Sequence, residues 1–225
     1  MPSTARQPRI YTRTGDDGTT GLLYGGRAPK SSPRIELNGV VDEAQAALGV
    51  ARAESVHGSA LDDALVAIEQ DLYVLMAEVA TLPSHRHKLV AGSTLVTEPM
   101  VTDLERQIDE LLGRFEMPSE FVVPGRNRTA AALDVARTVV RRAERLVSSV
   151  DDLDAGSLVG PYLNRLSDLV WALARWQEGD EHLFARRDAS RHGGQIGPGG
   201  SGSLGSAGGP GSQGGLGDDE PGGGG

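Results

Sequence analysis

Between Ile35 and Leu173 the apolar residues recur every three or four positions in five separate runs, the spacing that gathers them on one face of an α-helix. Leu37, Val40, Val41, Ala44, Leu48 and Ala51 make the first run. Leu61, Leu65, Ile68, Leu72, Leu75 and Val79 make the second, with Ser59 as its expected N-cap. The third starts near Glu98, has Pro99 in its first turn, and carries Val101, Leu104, Ile108 and Leu111. The fourth extends from about Thr129 to Val150, and the fifth starts near Ser157 and carries Leu163, Leu166, Leu169 and Leu173. Five such helices with short links predict an all-α fold, a five-helix up-and-down bundle. Aromatic residues are only 4% of the chain, so Leu, Val and Ala must fill the core, a palette suited to packed helices rather than a sheet sandwich.

The two ends read differently from the middle. Residues 1–9 are expected to be flexible, and the Gly/Thr-rich stretch up to residue 35 an ordered loop or short hairpin. Residues 10–188 then form the domain. Seventeen of the 31 glycines fall between Gly193 and Gly225, so residues 189–225 are expected to be a disordered Gly/Ser/Pro tail that cannot bury enough apolar surface to order itself. The absence of cysteine excludes disulfides, thiolate metal sites and cysteine nucleophiles. No run of 18 apolar residues and no apolar leader is present, which predicts a soluble, cytoplasmic protein with no membrane partner. The five histidines form no HExxH or Glu-x-x-His pattern, so no metal site built from protein side chains is expected.

Net charge is −9, which argues against general affinity for nucleic acid. The basic residues are nevertheless clustered. Residues 1–35 hold Arg6, Arg9, Arg13, Arg27, Lys30 and Arg34 against Asp16 and Asp17, and residues 126–145 hold six arginines against Asp134 and Glu144. Each island is +4 in an acidic chain. They would make a polyanion site if folding brings them together, and solvated surface otherwise. The glycines of TRTGDDGTTGLLYGGRAPK (Thr12 to Lys30) let backbone N–H groups converge on an anion, and its threonines and bases add donors; a plain hairpin has the same composition. Arg27 and Ala28 stand where a Walker A loop needs Lys and Ser/Thr. Arg137, Arg141 and Arg145 follow at i, i+4, i+8 and form one stripe, either a phosphate grip or a solvated face. Asn164, Asp168, Trp171 and Arg175 make a second stripe, apart from the leucines of the fifth helix.

Five segments in order, TRTGDDGTTGLLYGGRAPK, ELNGVVDEAQAALGVARAE, FVVPG, ARTVVRRAER and YLNRLSDLVWALAR, resemble the ATP:cob(I)alamin adenosyltransferases of the propanediol-utilisation type over about residues 10–177. The resemblance implies a homotrimer with sites at the subunit interfaces, where the N-terminal loop of one subunit closes over ATP held by the arginine helix of the next. It implies ATP contacts from Thr12, Arg13, Thr14, Gly15, Thr20, Gly21 and Lys30, from Arg141, Arg142, Glu144 and Arg145, and from Asn164. Arg137 would pair with Asp42 across the interface, and Phe121 would lie by the lower face of the corrin, where it displaces the dimethylbenzimidazole ligand. Asp42, Arg137, Phe121 and Asp168 thus form the cobalamin side, and Asp42, Phe121, Arg137 and Arg141 the catalytic set. Mg2+ would ride on the ATP phosphates. An external reductase would convert cob(II)alamin to cob(I)alamin, and an adenosylcobalamin-dependent mutase or similar enzyme would accept the product. Asp134 stands where His is common, and Arg126-Asn127-Arg128 where relatives often show Gly and Ser; both departures lie towards the corrin side. The competing reading is a helical bundle that binds ATP or a corrinoid without turnover, as a sensor or carrier.

Overall fold

The computed structural model describes residues 10–11, 13–153, 155–180 and 182–186. Its five long helices are α1 (Pro33–Ala53), α2 (Ala60–Val79), α3 (Glu98–Leu112), α4 (Arg128–Val147) and α5 (Val159–Glu178). The starts follow local chemistry. Ser59 is extended and its hydroxyl accepts the Asp62 N–H, while Asn127 accepts the Ala130 N–H at 2.8 Å, each supplying a partner that a helix start otherwise lacks. Prolines 33 and 99 sit in first turns, where their missing N–H costs nothing.

Two ends differ from the periodicity. α4 stops at Val147, three residues short of Val150, because the Ser148 and Ser149 hydroxyls turn back onto the Arg145 and Leu146 carbonyls and compete with further helix. α3, at 15 residues, is the shortest of the five and ends at Gly113.

α1 packs against α2 and α4, and α5 packs against α4 and α3 with a lesser contact to α2. The apolar stripes meet in one core, with Leu37, Leu48, Leu65, Leu72, Leu133 and Leu163 fully buried. α5 is the inner helix: between Tyr162 and Arg175 only Asp168 is exposed. Among the described residues no helix is long and apolar enough to cross a membrane.

Buried carboxylates fasten the links. Asp62 accepts from the Gly58 N–H (2.8 Å), Arg52 Nε (2.7 Å) and His57 Nδ1 (2.8 Å), which closes the α1–α2 turn. The Gly58 bond first, then Arg52, hold its carboxyl down at about 2. Glu78, at the end of α2, accepts from Ser157 Oγ, the Val96 N–H and Arg86 Nη1, so it gathers the connection before α3 and the entrance to α5.

The N-terminal stretch is a hairpin of β1 (Thr19–Gly21) and β2 (Arg27–Pro29), paired antiparallel with Thr20 opposite Ala28. It is fixed to the end of α2 by the Leu23 N–H, which donates to the Ala80 carbonyl at 2.9 Å. At Gly26, with φ +89°, a Cβ would lie 2.7 Å from Leu82 Cδ1, so the turn approaches the α2 end as closely as glycine permits.

Candidate functional site

The hairpin residues are ordered by one another. Asp17 accepts from the Thr19 N–H (2.9 Å) and hydroxyl (2.8 Å), and the Thr19 hydroxyl is the main reason its carboxyl lies below the usual range. Arg27 donates to Thr19 Oγ1 and to the Thr14 carbonyl, so its charge is used inside the loop. Gly15 leaves room for Lys30: a Cβ there would meet Lys30 Nζ at 3.3 Å. Arg13 is in the left-handed region, at φ 62°, with its guanidinium 5.5 Å from the Tyr11 ring centre. Thr20 is half-buried and Gly21 exposed. Thr12 lies outside the described residues. The structure therefore groups Arg13, Thr14, Gly15, Thr20, Gly21 and Lys30 on one hairpin, and none of the contacts just named goes to α4.

α4 carries the second cationic group. Arg141 is exposed, and among the described residues nothing pairs with its guanidinium; Arg145 donates to the Arg141 carbonyl at 3.0 Å. Glu144 accepts from Asn164 Nδ2 at 2.7 Å, which joins α4 to α5, and Asn164 in turn accepts from Arg165. Arg142 points elsewhere, to an ion pair with Glu43 on α1. Arg34, counted in the first island, is an internal strut. It is 5% exposed and donates to the Val79 carbonyl, which α2 leaves open at its end, to the Thr81 carbonyl just beyond it, and to Asp152.

One turn before Arg141, Arg137 reaches a cleft of about 560 Å³ lined by the loop Met117–Pro124 together with Asp134, Trp171 and Arg175. Phe121 stands on that loop, 88% exposed. Within the chain Arg137 Nε faces Asp134 Oδ1 at 3.4 Å, while Asp42 is exposed on α1 without a partner among the described residues. Asp168 opens into an adjoining cavity of about 410 Å³ that shares Met117 and Trp171 with the first. Phe121 and Arg137 are thus brought together, and Asp168 stands next door.

Arg175, which the residue pattern placed on a stripe apart from the leucines, lines the cleft and begins a buried ionic group behind it. Arg175 is only 2% exposed. Its Nη2 donates to Asp134 Oδ2 at 2.6 Å and Glu178 Oε1 at 3.1 Å, with its guanidinium 5.7 Å from the Trp171 ring centre. His182 Nδ1 lies 3.1 Å from Glu178 Oε2. Residues 183–185 then pair with the Phe121 loop: the Val123 N–H donates to the Leu183 carbonyl (2.7 Å), and the Ala185 N–H to the Phe121 carbonyl (2.8 Å). The i, i+3, i+7 spacing of Arg175, Glu178 and His182 was visible in the sequence; their burial was not.

The match to the Cobalamin adenosyltransferase family model spans residues 10–177, three-quarters of the chain. The chain belongs to the cobalamin adenosyltransferase family. It is 39% identical over 180 residues to the corrinoid adenosyltransferase PduO of Salmonella typhimurium, covering 77% of this chain and 51% of the relative, so it spans about half of that protein's length. It is 39% identical over 190 residues to the corrinoid adenosyltransferase of Mycobacterium tuberculosis, covering 81% and 95% of the two chains. Among solved structures, a variant PduO-type ATP:corrinoid adenosyltransferase from Lactobacillus reuteri, complexed with cobalamin and ATP, superposes with a TM-score of 0.70 at 29% identity. That match covers 80% of this chain and all of the other. In this family member, the two departures from the family pattern have structural partners. Asp134 holds buried Arg175, and Asn127 both caps α4 and donates to the Gln177 carbonyl at the end of α5.

Proposed function

We propose that the domain of residues 10–188 transfers the 5′-deoxyadenosyl group of ATP to cob(I)alamin, giving adenosylcobalamin and triphosphate. The observation that carries this reading is the sharing of one helix by two sites: Arg137 borders the Phe121 cleft, and Arg141 follows one turn later with no partner among the described residues. A cleft whose wall combines Met117, Val122, Trp171 and an exposed aromatic, Phe121, with a few charged groups suits one face of a corrin. A free guanidinium beside Arg145 and the Glu144–Asn164 pair suits a polyphosphate.

In this reading Co(I) attacks C5′ of ATP, the new bond is Co–C5′, and the C5′–O bond breaks with its electron pair leaving on triphosphate. The cobalt supplies the nucleophile, so the chain needs no acid–base pair. Its residues position and neutralise. Arg141 and Arg145, with Mg2+ on the phosphates, stabilise charge building on the leaving group. Lys30, Arg13, Thr14 and the glycines of the hairpin enclose the phosphates, and Phe121 keeps the lower corrin face free of its nitrogen ligand, so that an external reductase can deliver the electron that makes cob(I)alamin. A homotrimer supports this arrangement, because the hairpin is fastened within its own chain to the end of α2 and, through Tyr24, to Lys88 and Thr94 in the connection before α3, and Asp42, unpaired among the described residues, is then available to Arg137 of a neighbour. A cytoplasmic setting and an adenosylcobalamin-dependent acceptor such as a mutase complete the assignment.

The test is anaerobic. Full-length protein is mixed with chemically reduced cob(I)alamin and Mg-ATP while the corrin spectrum is followed. Conversion to adenosylcobalamin is the expected result. Binding of both without conversion moves the assignment to a sensor or carrier, and binding of neither removes it.

A further inference from the structure

We infer that the buried ionic chain His182–Glu178–Arg175–Asp134 is a positioning device that links the Phe121 loop to the Arg137 guanidinium, so that residues lying beyond the corrin set the shape of its cleft. The inference rests on the proposed function for what the cleft holds. The linkage itself rests on geometry.

The chain of contacts is continuous. Arg137 Nε faces Asp134 Oδ1 at 3.4 Å, Asp134 Oδ2 accepts from Arg175 Nη2 at 2.6 Å, and the same Nη2 reaches Glu178 Oε1 at 3.1 Å. Arg175 Nε lies 2.9 Å from Glu178 Oε2, which also faces His182 Nδ1 at 3.1 Å. The next residue, Leu183, begins the backbone pairing that holds the loop at Val123, and Ala185 continues it at Phe121. Arg186 lies 3.5 Å from Glu120 at the outer end of the same pairing. One end of the chain is therefore the clip on Phe121, and the other is the arginine across the cleft.

Stability alone gives no reason for such a chain. The Arg175, Glu178, Asp134 and His182 side chains are each 6% exposed or less, and they lie against a core that is largely apolar. Burying ions costs about as much as their attraction returns, and well-packed apolar residues serve stability as well or better. His182 Nε2 is buried with no partner, a further cost. What apolar side chains cannot supply is direction: a carboxylate shared by two guanidiniums fixes both, and a carboxylate shared by Arg175 and His182 fixes the start of the clip.

Full-length protein is compared with Glu178→Gln, Ala185→Pro and the double variant. Ala185→Pro deletes the N–H that donates to Phe121 at an exposed position, so it tests the linkage even if Glu178→Gln fails to fold. In Glu178→Gln, amide exchange at Val123 is expected to speed up on the order of tenfold. In Ala185→Pro, the Nε–H resonance of Arg137 is expected to shift although the substitution lies across the cleft. Both variants should lower the four-coordinate fraction of bound cob(II)alamin, read by electron paramagnetic resonance, with KM for ATP changed less than about twofold, and the double should be no worse than the worse single. Unchanged Val123 exchange in folded Glu178→Gln, an unmoved Arg137 resonance, or multiplying effects in the double each overturn the linkage. If wild-type protein lacks turnover while the exchange and resonance responses hold, the corrin reading fails and the linkage stands.

Discussion

Arg141 can be removed without leaving a buried partner behind, because its guanidinium is exposed and, among the described residues, unpaired. Arg141→Ala is expected to lower kcat on the order of 10²–10³-fold through lost stabilisation of the leaving triphosphate, with the melting temperature nearly unchanged. A near-wild-type kcat at saturating ATP would remove the assignment. Asp62 is the opposite kind of residue. Its carboxyl titrates at about 2 in the folded chain against an ordinary 3.8, so it stabilises the fold above the ordinary value, and that contribution fades as pH falls from there towards 2. Asp62→Asn should therefore lower the melting temperature clearly at pH 7 and progressively less at pH 3.5 and 2.5; a gap that is constant with pH would mean that the charge is not what closes the α1–α2 turn. Charge counting treats Arg34, Arg27 and Arg141 alike. The fold separates them, because Arg34 lies where α2 leaves carbonyls open, Arg27 lies within reach of Thr19, and Arg141 lies beside neither. A residue's type is written in the chain, but the unpaired groups it will face are not.

All five helices were legible as elements because each carries an apolar stripe of helical period, and at two of them Ser59 and Pro99 also marked the start. Asn127 illustrates what capping adds here, since one side chain starts α4 and holds the end of α5 through Gln177. Asn127→Ala is expected to cost about 1–2 kcal/mol, seen as a melting temperature lower by a few degrees. No loss would mean that water replaces both bonds. The pairing of residues 183–185 with the Phe121 loop was not legible. A three-residue stretch has too few positions to display a period, and its partner lies some sixty residues away in a segment bounded by prolines. The site was half legible on the same grounds. Arg137 and Arg141 announce themselves by helical spacing, whereas the burial of Arg175 depends on α5 being the inner helix, which follows only from how all five pack.

At the scale of the whole molecule, the hairpin is bound to α2, the arginine row lies on α4, and Asp42 is exposed on α1 and unpaired among the described residues. The proposed site assembled between chains would account for all three. Sedimentation is expected to give the mass of three chains. Asp42→Lys, which sets like charges opposite Arg137, should shift that mass towards one chain and abolish turnover together, while the melting of the isolated bundle is little changed. Loss of turnover with the mass intact would place Asp42 in the chemistry instead of the assembly.

α4 lies between α1 and α5 and carries Arg137 and Arg141 one turn apart. A packed helix keeps its pitch, so four residues amount to a rise of about 6 Å that thermal motion hardly alters. In a reaction where a metal nucleophile could strike carbon or phosphorus on the same nucleotide, such a fixed ruler decides which atom is presented. Regioselectivity would then be a property of helical pitch: one residue inserted between Thr138 and Val139 would turn Arg141 a further ~100° about the helix axis, to about 140° from Arg137, and leave both substrates bound but out of register.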